Sequence, residues 1–347
     1  MRQRGPLLRW RLLSRVRCHA LAIACFAAAL CGTAPRALAQ EEPGQRQEEV
    51  VANLAAGRVV IVVLKDAILI GTAENPVEAQ TRVPAPVQLA GLRVGVLLGA
   101  VDWFSPSSHQ EVARLDKELP HLRVATLFSN TPHLQQEQSG QEAVDIQSIG
   151  QGLFDRLREP AARLHTEIHW PENEPFVELL IAGFLPNYGP EVWQVTYGLR
   201  QLPAHGDFWD TRVQRPRYLQ IWPPDKGQPH ALMEFRYPAG EASPSLVDLL
   251  RQKDPRLEKI CAADPQMKEV AEHLLAGETP KIPAADAVPF FRAALEAITP
   301  PNARATVSIM RAEKGFEWIL APPPEPKKPE EEKQREPGAP TLVKPPS

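Results

Sequence analysis

Two observations predict an α+β fold for this chain. Short β-branched runs come in pairs around turn residues, and amphipathic helical segments separate the pairs. Such an order favours helices layered on antiparallel hairpins. The 347 residues are 43% hydrophobic and 23% charged, enough apolar material to bury a core and too much for wholesale disorder.

In chain order, Arg58–Leu64 (RVVIVVL) and Ala67–Gly71 (AILIG) read as two strands around a Lys65-Asp66 turn. Val87–Leu89 and Arg93–Leu98 read as a second pair around Ala90-Gly91. Ser107–Leu119 reads as a helix, with Ser107 or Ser108 at its cap and Val112, Leu115 and Leu119 at helical spacing. A second helix is expected over Ile146–Leu164, with Ile149, Leu153, Leu157 and Leu164 on one side and Pro160 as a kink or break. Phe176–Phe184 and Glu191–Tyr197 are strands joined by the reversal LPNYGP. Arg217–Trp222 and Ala231–Tyr237 read as a further hairpin about Asp225-Lys226-Gly227. Helices follow near Ser245–Gln252, Arg256–Ala262 and Gln266–Leu275, then a longer one at Ala284–Ala297 that Pro300-Pro301 ends. Arg304–Met310 and Phe316–Leu320 form the closing hairpin.

Residues 1–39 read as a secretory signal. They hold seven arginines and no acid, an apolar run Ala20–Leu30, and Ala37-Leu38-Ala39 at the cleavage position. The chain is therefore expected to be exported, periplasmic or extracellular, with an uncleaved anchor as the alternative. The mature form is not expected to span a membrane, because no other stretch approaches 18 apolar residues. Without the signal, 32 basic residues face 42 acidic ones, so no nucleic-acid partner is expected. Cys18, Cys25 and Cys31 leave with the signal, and Cys261 alone cannot close an internal disulfide. Residues 40–52 read as a flexible lead-in and 53–320 as the folded domain. Residues 321–347, with nine prolines in 27 positions, read as a disordered tail, either plainly solvated or a ligand or tether for a partner.

Four of these segments resemble proteasome subunits when taken in order. KDAILIGTA (Lys65–Ala73) is similar to their early hairpin, and RVGVLLGA (Arg93–Ala100) to the following core strand. ELLIAGF, a turn and EVWQV (Glu178–Val195) resemble their central hairpin. The helix Ala284–Ala297 with ATVSIM and FEWIL resembles their closing helix and hairpin. The resemblance covers about residues 57–320 and implies the N-terminal-nucleophile hydrolase fold. That fold is a four-layer αββα sandwich, two antiparallel sheets face to face with helices on both outer sides. Against that pattern, 201–278 reads as a lineage-specific insertion around an added hairpin.

The resemblance also implies a chemistry, in which a threonine, serine or cysteine freed by self-cleavage attacks with its own α-amine as base. Counting back from Lys65-Asp66, that position falls on Gly57, and no Ser, Thr or Cys occurs between Gln40 and Gly71. The implied acid falls on Ala73, beside Glu74. The implied lysine falls at Pro86-Val87, and no lysine occurs between Ala67 and Glu111. Peptide hydrolysis by this route is therefore not expected, and alanine at Gly57 or Thr72 is expected to leave any activity unchanged.

Other polar pairs are weaker. His165 and His169 stand four apart as a helical zinc pair would, yet no third ligand is evident and no metal or cofactor is expected. His205 and Asp207 are candidates for an acid/base pair. Trp209, Tyr218, Trp222 and Tyr237 read either as packing or as an exposed recognition surface. Three functions stay open: a catalytically silent binding or assembly domain that self-associates, a hydrolase with a different active site, and an envelope protein tethered by its tail.

Overall fold

The computed structural model describes residues 50–75, 81–89, 91–122, 146–164, 170, 174–185, 188–203, 209–224, 231–238 and 243–322. The chain begins with strands β1 (Val51–Ala55), β2 (Gly57–Val63) and β3 (Ile68–Glu74), then the short β4 (Thr81–Arg82) and β5 (Pro86–Gln88). The thirteen-residue β6 (Arg93–Ser105), β7 (Gln110–Arg114) and the one-turn helix α1 (Leu115–Glu118) follow, and then α2 (Ile146–Arg163). Next come β8 (Val177–Leu185), β9 (Gly189–Tyr197), β10 (Leu199–Pro203), β11 (Trp209–Val213), β12 (Arg217–Trp222) and β13 (Leu232–Tyr237). Helices α3 (Leu246–Arg251), α4 (Pro255–Ala263), α5 (Pro265–Leu275) and α6 (Ala284–Ile298) precede the last strands, β14 (Ala305–Arg311) and β15 (Gly315–Leu320).

Two antiparallel sheets organise these strands. The first has the order β12-β9-β8-β6-β1-β4, with β5 and β7 also on β6 and only the two-residue β4 parallel to its neighbour. The second has the order β13-β2-β3-β14-β15, and β10 with β11 forms a separate pair. Strand alternation divides the apolar side chains between faces. Val59, Ile61, Val63, Ile68 and Ile70 of the second sheet meet Val94, Val96, Leu98, Leu180 and Val192 of the first in one buried cluster. The other face of the first sheet is covered by α2, whose Ile149, Leu153, Leu157 and Ala161 pack on Leu97, Leu179, Ile181 and Val195. The other face of the second sheet is covered by α3 to α6, where Leu246, Leu257, Leu274, Phe290 and Leu295 meet Val60, Val62, Leu69 and Val307. The described chain is thus an α+β sandwich with helices outside both sheets, and each fully buried leucine adds about 1.5–3 kcal/mol.

Local signals set the ends of several elements. Ser245 and Asp248 form a reciprocal capping box at α3. Asp254 and Asp264 cap α4 and α5, each followed by proline at the first helical position. Pro160 neither breaks nor ends α2; it is buried, and the helix continues to Arg163.

Three expectations need correction. Ser107–Leu119 is mostly not a helix. β6 runs on to Ser105 and turns through His109, which has φ +53°, and β7 returns along it, with Asp102 opposite Arg114 and Trp103 opposite Ala113. Pairing the backbone of a long strand outweighs the weak local periodicity, and helix survives only from Leu115. The second correction concerns Arg217–Trp222 and Ala231–Tyr237, which are not partners: β12 extends the first sheet along β9, and β13 the second along β2. A turn signature predicts a reversal but not which open sheet edge the next strand joins. Third, the domain starts before residue 53: Val50 is buried and Val51 and Ala52 begin β1, paired with Phe104 and Trp103. The segment 201–278 supplies an edge strand to each sheet and the helices α3, α4 and α5.

Candidate functional site

The position expected for a nucleophile is closed. β1 lies in the first sheet and β2 in the second, so the chain passes from one to the other at Ala56-Gly57. Ala56 is wholly buried, and its carbonyl accepts from the Asn75 amide at 3.1 Å. Gly57 has φ +147°, where L side chains are strained, and a Cβ there would collide with the Ala73 carbonyl oxygen and stand 3.0 Å from the Asn75 nitrogen. The buried Thr72 hydroxyl is paired with that of Thr306 at 2.7 Å. Alanine at Gly57 would meet backbone atoms, and alanine at Thr72 would remove one half of a buried hydroxyl pair.

The companion positions hold no chemistry either. Ala73 and Pro86 are buried within the strands β3 and β5. The nearby cations are all engaged: Arg58 with Glu234 at 3.1 Å, Arg82 with Asp102, and Arg93 with Glu191 at 2.7 Å.

Tyr218, Trp222 and Tyr237 do not form one exposed surface. Tyr237 is only 1% exposed and sits between the sheets, and Trp222 packs half-buried against the same cluster. Tyr218 lies over α2, where its hydroxyl donates to the Gln147 carbonyl at 3.1 Å. Trp209 is the first residue of β11, opposite Pro203. His205, Asp207, His165 and His169 lie outside the described residues.

A cleft of about 460 Å³ opens at one edge of the inter-sheet space. Its lining includes Glu174, Glu178, Gln194, Arg215, Arg217 and Phe235. The strands position these groups. Glu178 of β8 is opposite Thr196 of β9, and Thr196 is opposite Arg217 of β12, so the three form one row across three strands. Leu180, two residues after Glu178, belongs to the inter-sheet cluster, so the row faces the second sheet. There, Phe235 and Arg236 of the edge strand β13 form the opposite wall, next to Tyr237, the register partner of Gly57.

Glu178 is the unusual group of this cleft. It is 5% exposed, and Gln194 Nε2 donates to its Oε1 at 2.9 Å. Burial pushes its carboxyl up to about 6, and the Gln194 hydrogen bond pulls the other way without cancelling it. Burial and then the charges of Glu174 and Glu178 push ionisation of the Tyr237 hydroxyl far up, so it stays neutral. At the rim, Arg236 is held by Glu234 at 2.7 Å and by the Ser243 carbonyl. Arg215 and Arg217 are exposed and have no ion-pair partner among the described residues. The arrangement offers a buried carboxyl that burial pushes up to about 6 and two guanidiniums without an ion-pair partner among the described residues, a combination suited to holding a polar molecule.

Sequence reasoning missed this cleft. One signal was available: Glu178 is the single charged residue in the apolar strand run FVELLIAGF. The arginines carried no signal, because their role depends on β12 joining β9. Among the described residues no group of three or more His, Cys, Asp or Glu is placed to hold a metal ion, and no helix is long and apolar enough to cross a membrane. Cys261 is half-buried against the helical layer, and burial pushes its thiol up. No protein-family model matches the chain, and no curated protein matches it.

Proposed function

We propose that this chain is an exported, proteasome-subunit-like domain of the N-terminal-nucleophile hydrolase fold that has lost its catalytic apparatus and acts by binding in the cleft beside β13. The observation that supports the reading is Gly57: the position that the resemblance assigns to a nucleophile is a buried link between two sheets, where a Cβ would meet the Ala73 carbonyl oxygen. The face-to-face sheets with helices on both outer sides, and the order of closing helix and hairpin, support the resemblance. The arginine-rich start and the Ala37–Ala39 site support export.

The test is chemical. The exported protein is treated with a threonine-directed epoxyketone and with fluorogenic peptides. An intact mass that starts at Gln40, without adduct or turnover, is the expected result. An adduct mapped to residues 57–74 overturns the reading.

One observation favours a second reading, a hydrolase with an active site of its own. Glu178 is a buried carboxyl in a cleft with its proton affinity raised to about 6, as general acid/base catalysis requires. Under this reading the protein turns over a substrate, and Glu178→Gln abolishes turnover while the fold persists.

A further inference from the structure

The chemistry of the cleft narrows what it can hold. Its floor is a carboxyl with one oxygen bonded to Gln194, which stands in an otherwise apolar strand and faces the opening. A buried carboxylate without a counter-charge is costly, and a bound cation would supply that charge. Beyond that carboxyl the lining carries Glu174 but also Arg215 and Arg217, which are exposed and have no ion-pair partner among the described residues, so the balance there is positive. The row Glu178, Thr196, Arg217 sets the span. Two interstrand steps separate the backbones of Glu178 and Arg217 by about 10 Å. Side chains of both line the cleft, which leaves room for a molecule that carries a charge at each end.

We propose that the cleft binds a dipolar small molecule, an ω-amino carboxylate in class, with its ammonium on Glu178 and its carboxylate on Arg215 and Arg217. Phe235 and Pro175 line the same cleft and offer apolar surface to the methylene chain between the charges. The proposal rests on the reading of the cleft as a binding site and adds its ligand chemistry.

Titration calorimetry on the purified exported chain at pH 7.5 tests it with three probes of one length. In 6-aminohexanoate the ammonium and carboxylate are about 7 Å apart, whereas hexylamine has only the cation and hexanoate only the anion. The expected result is millimolar or tighter binding of 6-aminohexanoate, with both single-charge probes weaker by about tenfold or more, since each charge-assisted contact is worth at least that factor. Glu178→Gln and the pair Arg215→Ala with Arg217→Ala should each remove that advantage. The glutamine is isosteric, and the arginines are exposed, so these variants fold. Equal binding of hexanoate or hexylamine, or none of 6-aminohexanoate at 20 times a millimolar dissociation constant, overturns the ligand class. Failure of the binding reading itself is seen separately, as turnover or an epoxyketone adduct.

Discussion

The carboxylate of Glu74 is clasped by the guanidinium of Arg304, with Oε1 to Nη2 at 2.6 Å and Oε2 to Nε at 2.9 Å. The bidentate pair ties the end of β3 to the start of β14, and the Arg304 amide also donates to Oε2 at 3.2 Å. An acid therefore does stand beside Ala73, but it is a structural clamp. The Arg304 hydrogen bonds hold the Glu74 carboxyl below its usual range, more than offsetting burial. A depressed pKa stabilises the fold above the unfolded value of 4.5, and that support fades as pH falls through the lower folded value. Glu74→Gln is expected to cost about 1–3 kcal/mol at pH 7. The gap from wild type should close as denaturant melts are moved from pH 5 towards pH 3; a constant gap would contradict the assignment.

Gly57 makes a steric prediction. Gly57→Ala requires φ +147° of an L residue and drives a methyl into the Ala73 carbonyl. The expected loss is about 2–4 kcal/mol, beyond the usual cost of a strained backbone alone. Urea unfolding measures it, and a neutral Gly57→Ala would mean that β2 starts differently.

The third prediction concerns pH and Glu178. Its folded value of about 6 lies above the reference of 4.5, so the protonated form supports the fold. That support is complete below 4.5 and is lost as pH rises through 6. The neighbouring charges of Glu174, Arg215, Arg217 and Arg236 line the same cleft, and Tyr237 stays neutral. Glu178→Gln should match wild type near pH 4 and exceed it by about 2 kcal/mol at pH 7.5. Thermal melts across that range check it, with a variant no more stable at pH 7.5 as the adverse outcome.

Gly150 supplies the fourth. A Cβ there would stand 2.5 Å from the Tyr218 hydroxyl and 2.6 Å from its ring. Alanine normally stabilises a helix interior by about 1 kcal/mol over glycine. Here Gly150→Ala should destabilise, and the loss should shrink in the background of Tyr218→Ala. Such a double-mutant cycle isolates the coupling between α2 and β12. Additive effects would contradict the contact.

The amino-acid order by itself determined most elements. The β2–β3 hairpin around Lys65-Asp66, the helices α3 to α6 and the last hairpin were legible because their apolar spacing, caps and prolines act within a few residues. The absence of Ser, Thr and Cys from Gln40 to Gly71 was legible too, since a missing residue type needs no geometry. The tertiary structure alone decided that Gln110–Arg114 is a strand, because only β6 beside it offers the hydrogen bonds that make it one. It also decided that Tyr237 is buried, and that Glu178 and Arg217 share a cleft although 39 positions of sequence separate them. Both follow from β12 and β13 joining opposite sheets. Strand pairing is a contest among distant edges, and local sequence carries no information about which edge is open.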